Sequence, residues 1–443
     1  MEQLIPRTLR LWENVSSNLA KSAVFSQFQG MTKGHLTLRL EGDPGTYSFG
    51  YGNKVKAEIF VENERFFNRF WSDGELGFGE SYVEGDWNSP DLAQVIRWFF
   101  LNVDKIETVV RPDDSASPFM QFMVGLRYVQ DVIGAKPSTL AETWASRYDL
   151  ERPFFALMLD SRLNNSGALF TKRDTLDEAQ IRKHKKIARE LRIRPGAHIL
   201  ELGCGWGSFA LYLAQNFDCY VTAVTVSEEQ HQYVQSKIEE FGLSNRINAV
   251  HADYRMITGV YDRIVSVELI DTIDRSQLGD FFQRCELWLK PNGIMVHQLL
   301  LSPEHRTSTQ TPVEWNQKHI TPGIITPTLS QVLEAMGQST EFCIRNLRDT
   351  GLSYSKTLHV WTSNFIRNLE AVRALGFDEK FIRSWHYYLC YAEAAFEHGL
   401  MTSALVTLSR ATERSQEEVE TPPVRPSILR DPFRTARGLS SMA

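Results

Sequence analysis

Apolar and polar residues alternate in two stretches near the start of the chain, HLTLRL (35–40) and KAEIFVE (56–62), the period-two signature of half-buried strands. Turn chemistry lies between them in DPG (43–45) and GYGN (50–53). FFNRFW (66–71) then reads as a helix turn, GELGFGESYVEGDW (74–87) as a glycine-rich loop, and DLAQVIRWFFLNV (91–103) as a helix. These patterns predict a small α+β unit over residues 1–103. A connector follows at 104–140, in which VRPDDSASP is loop by composition and FMQFMVGLRYVQDVIG carries helical periodicity. From 141 the pattern changes to strand and helix in alternation, which argues for a parallel sheet. Strands are predicted at 198–202, 219–226, 246–251, 263–268 and 293–301, with a helix after each of the first four and another at 176–192 before the first. An insertion with prolines and tryptophan follows, then helices, among them FIRSWHYYLCYAEAAFEHGL (381–400). The second domain therefore runs over 141–412, and the polar, proline-containing tail 413–443 is predicted to be disordered.

The richest stretch is HILELGCGWG (198–207), a strand opening into a turn with glycine at 203, 205 and 207. Glycines let the backbone take left-handed angles and approach a ligand with no Cβ in the way. The next segment, SFALYLAQN, has helical apolar spacing with Ser208 as its predicted N-cap. Strand, glycine loop and helix make a nucleotide cradle, and its spacing selects the cofactor. The dinucleotide fingerprint is G-x-G-x-x-G and the phosphate loop ends in a lysine, whereas this loop is G-x-G-x-G without one. Glu201, two residues before the first glycine, would repel a phosphate but pair with a cation. The pattern favours S-adenosylmethionine (SAM), whose sulfonium is positive and whose amino acid end is zwitterionic.

Length and composition narrow the class. The 443 residues exceed one ordinary domain, and 42% hydrophobic with 23% charged residues is a globular balance. No apolar run approaches the roughly 18 residues of a bilayer span, and acids and arginines interrupt the N-terminal apolar residues, unlike a signal peptide. A cytoplasmic location is the expectation. The five cysteines lack C-x-x-C spacing and His251, His297 and His319 lack metal-like spacing, so reduced thiols and no metal site are expected. A net charge of −6 gives no nucleic-acid footprint.

In an open α/β sheet, ligands sit at the carboxyl ends of the strands. The second predicted strand ends at Thr225 and is followed by Gln230; the third ends near Asp253, placed to accept from an adenine amino group; the fourth ends in Glu268-Leu-Ile-Asp271, facing the substrate. The basic stretch RKHKKIARELRIR (182–194) reads either as a contact for anionic headgroups or as a solvated face with i,i+4 pairs. RWFFL (97–101) reads as core.

The chain resembles the cyclopropane fatty acyl phospholipid synthase family of SAM-dependent methyltransferases over nearly its whole length except the tail. The matching stretches are GELGFGESYVEGDW, LDEAQ (176–180), LELGCGWG, VTVSEEQ (224–230), DYR (253–255), YDRIVSVELI (261–270), LKPNG (289–293), YYLCYAEAAFEHG (387–399) and LSR (408–410). Within it the chain is most similar to the branch of the mycobacterial tuberculostearic acid enzymes, where LGFD (375–378) and a YxEAxF segment also occur. The resemblance implies methyl transfer from SAM to a cis double bond of a membrane phospholipid acyl chain. An alkene is a weak nucleophile, so the pocket must hold it against the sulfonium, stabilise the resulting cation on aromatic faces, and supply a base. In the family a bound bicarbonate is that base. Its five positions correspond here to Gly167, Asp271, Gln298, Leu300 and Tyr354, of which only the tyrosine is unchanged.

The family's H-Y-D-x-G-N is Arg147-Tyr-Asp-Leu-Glu-Arg152 in this chain, and its Y-S-C is Asn165-Ser-Gly167. The cofactor half is intact and the acceptor half altered. The expectation is an α/β fold, a Rossmann-like SAM-dependent methyltransferase domain with a small N-terminal lipid-handling domain and C-terminal helical additions. Ser166, Glu201, Gly203, Gly205, Gly207, Thr225, Gln230 and Asp253 are the candidates around SAM. Asp271 and Tyr354, then Glu268 and Gln298, are the candidates at the reacting centre. Membrane phospholipid is the expected partner, met by peripheral contact, while a reductase partner and a homodimer stay open. The rival readings are a small-molecule methyltransferase on the same fold and a SAM-binding pseudoenzyme.

Overall fold

The structure is a computed structural model that describes residues 5–103, 105, 150–304 and 326–411. The predicted connector 104–140, Tyr148 and Asp149, His319 and the tail 413–443 lie outside the described residues. The chain forms two compact units. One holds the N-terminal elements together with residues 372–398; the other holds the described residues of 150–304, 326–371 and 399–411. The predicted second domain, continuous over 141–412, is therefore interrupted: its 372–398 segment belongs to the first unit.

In the first unit, helix α1 (Ile5–Gly30) precedes strands β1 (Lys33–Leu40), β2 (Thr46–Phe49), β3 (Tyr51–Val61) and β4 (Trp87–Asn88), ordered β2-β1-β3-β4. Helices α2 (Arg65–Val83) and α3 (Leu92–Leu101) complete the N-terminal part. The predicted glycine-rich loop at 74–87 is for the most part helical: α2 runs through it with a kink at Gly74, whose φ is 56°. Tertiary packing overrides the low helix propensity of glycine here. Phe78 and Tyr82 are buried, and a side chain at Gly77 would run into the Arg69 carbonyl across the kink. Trp98 and Phe99 of the RWFFL run lie in the same aromatic core, with Phe28, Phe66 and Trp87.

The second unit begins with a short helix α4 (Arg152–Ala156) and α5 (Leu176–Leu191), the latter opened by a Thr175–Glu178 capping box that contributes about 1 kcal/mol. All five predicted strands are present: β5 (Ala197–Leu202), β6 (Cys219–Thr225), β7 (Ile247–His251), β8 (Tyr261–Val267) and β9 (Leu289–Leu301). The crossovers carry α6 (Ser208–Asn216), α7 (Glu228–Glu240) and α8 (Leu278–Trp288). After β7 the predicted helix is only a 3-10 turn, Tyr254–Met256, because Asp253 caps a single tight turn. Helix α9 (Leu329–Ser339), strand β10 (Phe342–Asp349), helix α10 (Gly351–Arg367) and strand β11 (Thr402–Arg410) close the unit, and helix α11 (Leu369–Ala374) spans the point where the chain passes to the first unit. The seven-stranded sheet has the order β10-β11-β9-β8-β5-β6-β7. It is parallel except for β11, which is antiparallel to both β9 and β10. Helix α12 (Glu379–Glu397) belongs to the first unit, where Tyr387, Cys390, Tyr391 and Ala394 join the aromatic core.

The order of strands reverses between β5 and β8, which pair in parallel with Leu202 opposite Ser266. Loops after these two strands diverge from a switch point, the place where open α/β sheets bind their ligands.

Candidate active site

The loop after β5 is built as the spacing implies. Gly203, Gly205 and Gly207 have φ of 74°, 53° and 76°, conformations that L side chains rarely adopt. A Cβ at Gly205 would meet nothing within 4 Å, so the backbone there is open to a ligand, whereas one at Gly207 would stand 2.7 Å from Val234 Cγ2. Gly207 rather than Ser208 is the N-cap of α6, since its left-handed φ turns the chain into the helix. Beneath the loop, Glu201 is 3% exposed and one of its carboxylate oxygens has no hydrogen-bond partner among the described residues. Burial pushes its carboxyl up to about 8, against the opposing Ala210 N–H and Lys183. A buried carboxylate aimed beside an open glycine loop calls for a cation.

At the end of β6, Thr225 and Gln230 are buried and face each other, the Thr225 hydroxyl donating to Gln230 Oε1 at 2.7 Å. Asp253 stands differently from its expected role: both its oxygens are engaged by the Arg255 guanidinium, at 2.8 and 2.6 Å, which holds its carboxyl below the usual range. An adenine amino group would have to share or displace that arginine.

The loop after β8 carries the second half of the site, and its centre is Glu268 rather than Asp271. Glu268 is half-buried and has φ of 54°, a left-handed angle that is uncommon and strained for a non-glycine residue. Its Oε1 accepts from the Gly167 N–H at 2.9 Å and from Gln298 Nε2 at 2.7 Å, and its Oε2 accepts from the Tyr354 hydroxyl at 2.8 Å. Gln298 also donates to the Gly167 carbonyl at 3.0 Å, closing the ring of contacts. Gly167 fits because it lacks a side chain: a Cβ there would lie 2.7 Å from Tyr354 Cε2 and closer still to Cδ2. Asp271 is buried in the 3-10 turn Ile270–Thr272. Burial, then the like charge of Asp271, push the Glu268 carboxyl up to about 7, opposed by Lys183, the Gly167 N–H and the Tyr354 hydroxyl.

Lys183 ties the two halves together. It is 1% exposed, donates to Ser166 Oγ at 2.6 Å, and interacts electrostatically with Glu268, Asp160 and Glu201. Burial brings its ammonium down to about 8 despite those three carboxylates. Ser166 is thus held from below, with its carbonyl accepting from Gln180 Nε2 at 2.8 Å.

Sequence reasoning overlooked Gln180 and Lys183 as site residues. The signal was on α5: Leu176, Ala179, Gln180, Lys183, Ile187 and Leu191 recur at helical spacing on one buried face, so polar residues at 180 and 183 stand inside an apolar stripe. Three members of the basic stretch 182–194 are engaged within the protein, while Lys185, Arg189, Arg192 and Arg194 stay exposed. Lys183 is buried, Arg182 pairs with Asp174, and Lys186 pairs with Glu190.

The chain has known relatives. The sequence profile of the mycolic acid cyclopropane synthetase family matches residues 135–405. The chain belongs to that family. Among cyclopropane synthetase relatives, the tuberculostearic acid methyltransferase UfaA1 of Mycobacterium tuberculosis is 29% identical over 415 residues, spanning 88% of this chain and 92% of the relative. The cyclopropane-fatty-acyl-phospholipid synthase of Escherichia coli K12 is 31% identical over 363 residues, 81% and 89% of the two chains. The solved structure of the cyclopropane synthase MmaA2 from Mycobacterium tuberculosis superposes with a TM-score of 0.58 at 25% identity, covering 62% of this chain and 99% of that one.

The methyl donor of a cyclopropane synthetase family member is SAM, and the residues present fit it: the open backbone at Gly205 and the partnerless buried Glu201 oxygen suit a cationic, zwitterionic ligand. Bicarbonate does not fit. Gly167, Gln298 and Tyr354, three of the five positions that would hold it, already hold the Glu268 carboxylate.

Proposed function

We propose that this protein transfers the methyl group of SAM to a cis double bond in a phospholipid acyl chain, giving a cyclopropane or a methyl or methylene branch. The observation that carries the reading is the pairing, at one switch point, of an open glycine loop with a carboxylate held by Gly167, Gln298 and Tyr354. An acceptor that is an alkene needs no activation before transfer, only alignment in a water-poor pocket and a proton acceptor afterwards. Relatives that are a tuberculostearic acid methyltransferase and a cyclopropane-fatty-acyl-phospholipid synthase support an acyl substrate.

When bound, SAM supplies an electrophilic methyl group. Glu201 receives its cationic end, Ser166 and the Gly203–Gly207 backbone line the loop side, and Thr225, Gln230 and Asp253 stand at the following strand ends. Lys183 keeps Ser166 seated and offsets the buried carboxylates on either side. Phospholipid acyl chains lie in bilayers, so the reading calls for peripheral contact with a membrane surface; among the described residues no helix is long and apolar enough to cross one.

The test is incubation of the purified protein with labelled SAM and vesicles of unsaturated phospholipids, followed by mass analysis of the acyl chains. The reading requires chains that gain one CH2 with matching release of S-adenosylhomocysteine. Turnover with small amines alone would favour the small-molecule reading, and SAM binding without turnover on any acceptor would favour the pseudoenzyme.

A further inference from the structure

Three groups that would surround a bound bicarbonate converge here on a side chain of the protein itself. The Gly167 N–H, Gln298 Nε2 and the Tyr354 hydroxyl all donate to the two oxygens of Glu268, at 2.9, 2.7 and 2.8 Å. A carboxylate and a bicarbonate present the same planar pair of acceptor oxygens, so a seat built for one accepts the other. The backbone is bent to make this possible: φ of 54° at Glu268 turns its side chain back toward β9, where the Glu268 N–H also donates to the Gln298 carbonyl at 2.8 Å. Strain of this kind persists only where surrounding structure enforces it, and it concentrates at functional sites.

The remaining space argues the same way. The Tyr354 ring occupies the volume over Gly167 that a side chain would need. Asp271 lies buried on the adjoining turn, so a further anion would face two carboxylates in a partly desolvated pocket, which is costly.

We propose that the Glu268 carboxylate occupies the seat of the bicarbonate and is the resident base that takes the proton released after methyl transfer. The proposal rests on the alkene reading above. In that step the alkene π pair forms the new C–C bond to the methyl carbon as the S–CH3 bond breaks, leaving a carbocation and S-adenosylhomocysteine. Glu268 then removes one proton. If it comes from the new methyl group, the C–H pair closes the cyclopropane; if from a neighbouring carbon, the pair forms a new C=C bond. Glu268 is left as the neutral acid and returns its proton to solvent, so each turnover releases one proton. Tyr354 and Gln298 are positioning residues that hold the carboxylate.

The ionisation of Glu268 suits this role. The charged and titratable groups facing it are Asp271 from the adjoining turn, Lys183 from α5 and Tyr354 from α10, with Glu201 and Asp160 acting on Lys183 from behind. With its carboxyl raised to about 7, Glu268 holds a proton in acid and is available as a base above neutrality.

The experiment compares wild type, Glu268→Gln and Glu268→Gly in carbon-dioxide-free buffer with and without added bicarbonate. Wild-type lipid methylation should be unchanged by bicarbonate, with a rate that rises through pH 7. Glu268→Gln should lose activity by roughly 100-fold or more, and its rising limb, while keeping SAM affinity and melting temperature. Glu268→Gly opens the seat and should recover activity on addition of bicarbonate or formate. In a substrate-free arm, ¹³C-bicarbonate observed by NMR should bind Glu268→Gly and not wild type. Bicarbonate-dependent wild-type turnover, an active Glu268→Gln, or bicarbonate bound to wild type would each overturn the proposal. If wild type makes no methylated lipid in any buffer, the alkene reading fails, and with it the role of Glu268 as base; the NMR arm then decides who occupies the seat.

Discussion

Gly167→Ala is the sharpest single perturbation of the acceptor half. An alanine Cβ would stand 2.7 Å from Tyr354 Cε2 and 2.9 Å from Cγ, where ordinary contact begins at 3.4 Å, and nearer still to Cδ2. The ring must retreat by about 1 Å, and it carries the hydroxyl that holds Glu268 at 2.8 Å. Overpacking of this order costs about 1–3 kcal/mol, and in a unit of this size each kcal/mol lowers the melting temperature by roughly 2–4 °C. The catalytic cost is larger, because a shift of about 1 Å in a reacting group can cost ~100-fold in rate. The expected outcome is a kcat lower by about two orders of magnitude, with SAM affinity by calorimetry nearly unchanged. The double variant separates sterics from other effects: in a Tyr354→Ala background, the added Gly167→Ala change should cost no further stability. A Gly167→Ala protein with wild-type kcat and melting temperature would refute the argument.

Gly207→Ala should weaken SAM binding at least tenfold and lower the melting temperature, since a φ of 76° and a 2.7 Å approach to Val234 both oppose a side chain; Gly196→Ala, at a similar φ but in open space, should lose only about 1 kcal/mol of stability and leave SAM binding intact. Glu201 is raised by burial to about 8, so its contribution to stability is complete below its ordinary value of 4.5 and is lost as pH rises through 8. Urea midpoints of the SAM-free protein should fall over that window, and Glu201→Gln should flatten the fall while weakening SAM. In the first unit, Arg97 is the ion-pair partner of Glu393, which is 2% exposed, and of Glu397. Arg97→Met removes the cation paired with a buried carboxylate and should cost about 3–5 kcal/mol by denaturant titration, a loss that the further change Glu393→Gln should partly restore.

The sequence displayed those parts whose physics is local. Strands β5 to β9 are apolar runs bounded by turn residues, and the G-x-G-x-G loop states its own backbone requirement. Strand β11 went unread because Ser403, Thr407 and Ser409 give it a polar composition, yet all three are buried inside the sheet. The second half of helix α2 read as loop because the glycines that normally break helices serve here to let its two halves pack. At the site, the family correspondence ranked Asp271 first. Spacing cannot show that a left-handed residue at 268 redirects its neighbour's role, and three-dimensional hydrogen bonding supplies that information. Lys183 was hidden for a related reason: a basic run invites a surface reading, and only the helical phase puts one of its members in the interior.

The interruption of the second unit by residues 372–398 bears on how the protein is made. During synthesis the N-terminal elements emerge first, but α12, which completes their aromatic core, follows some 280 residues after α3 and leaves the ribosome only after strands β5 to β10. Strand β11, which fills the gap between β9 and β10, emerges later still. The first unit cannot close before α12 is made, nor the second before β11, although domains commonly fold in the order they are translated. Nascent chains stopped before residue 398 should therefore expose the Phe28–Trp98 cluster to chaperones and proteases. C-terminal truncations that remove α12 together with β11 would disable both units at once, whereas those that remove β11 alone would disable only the second.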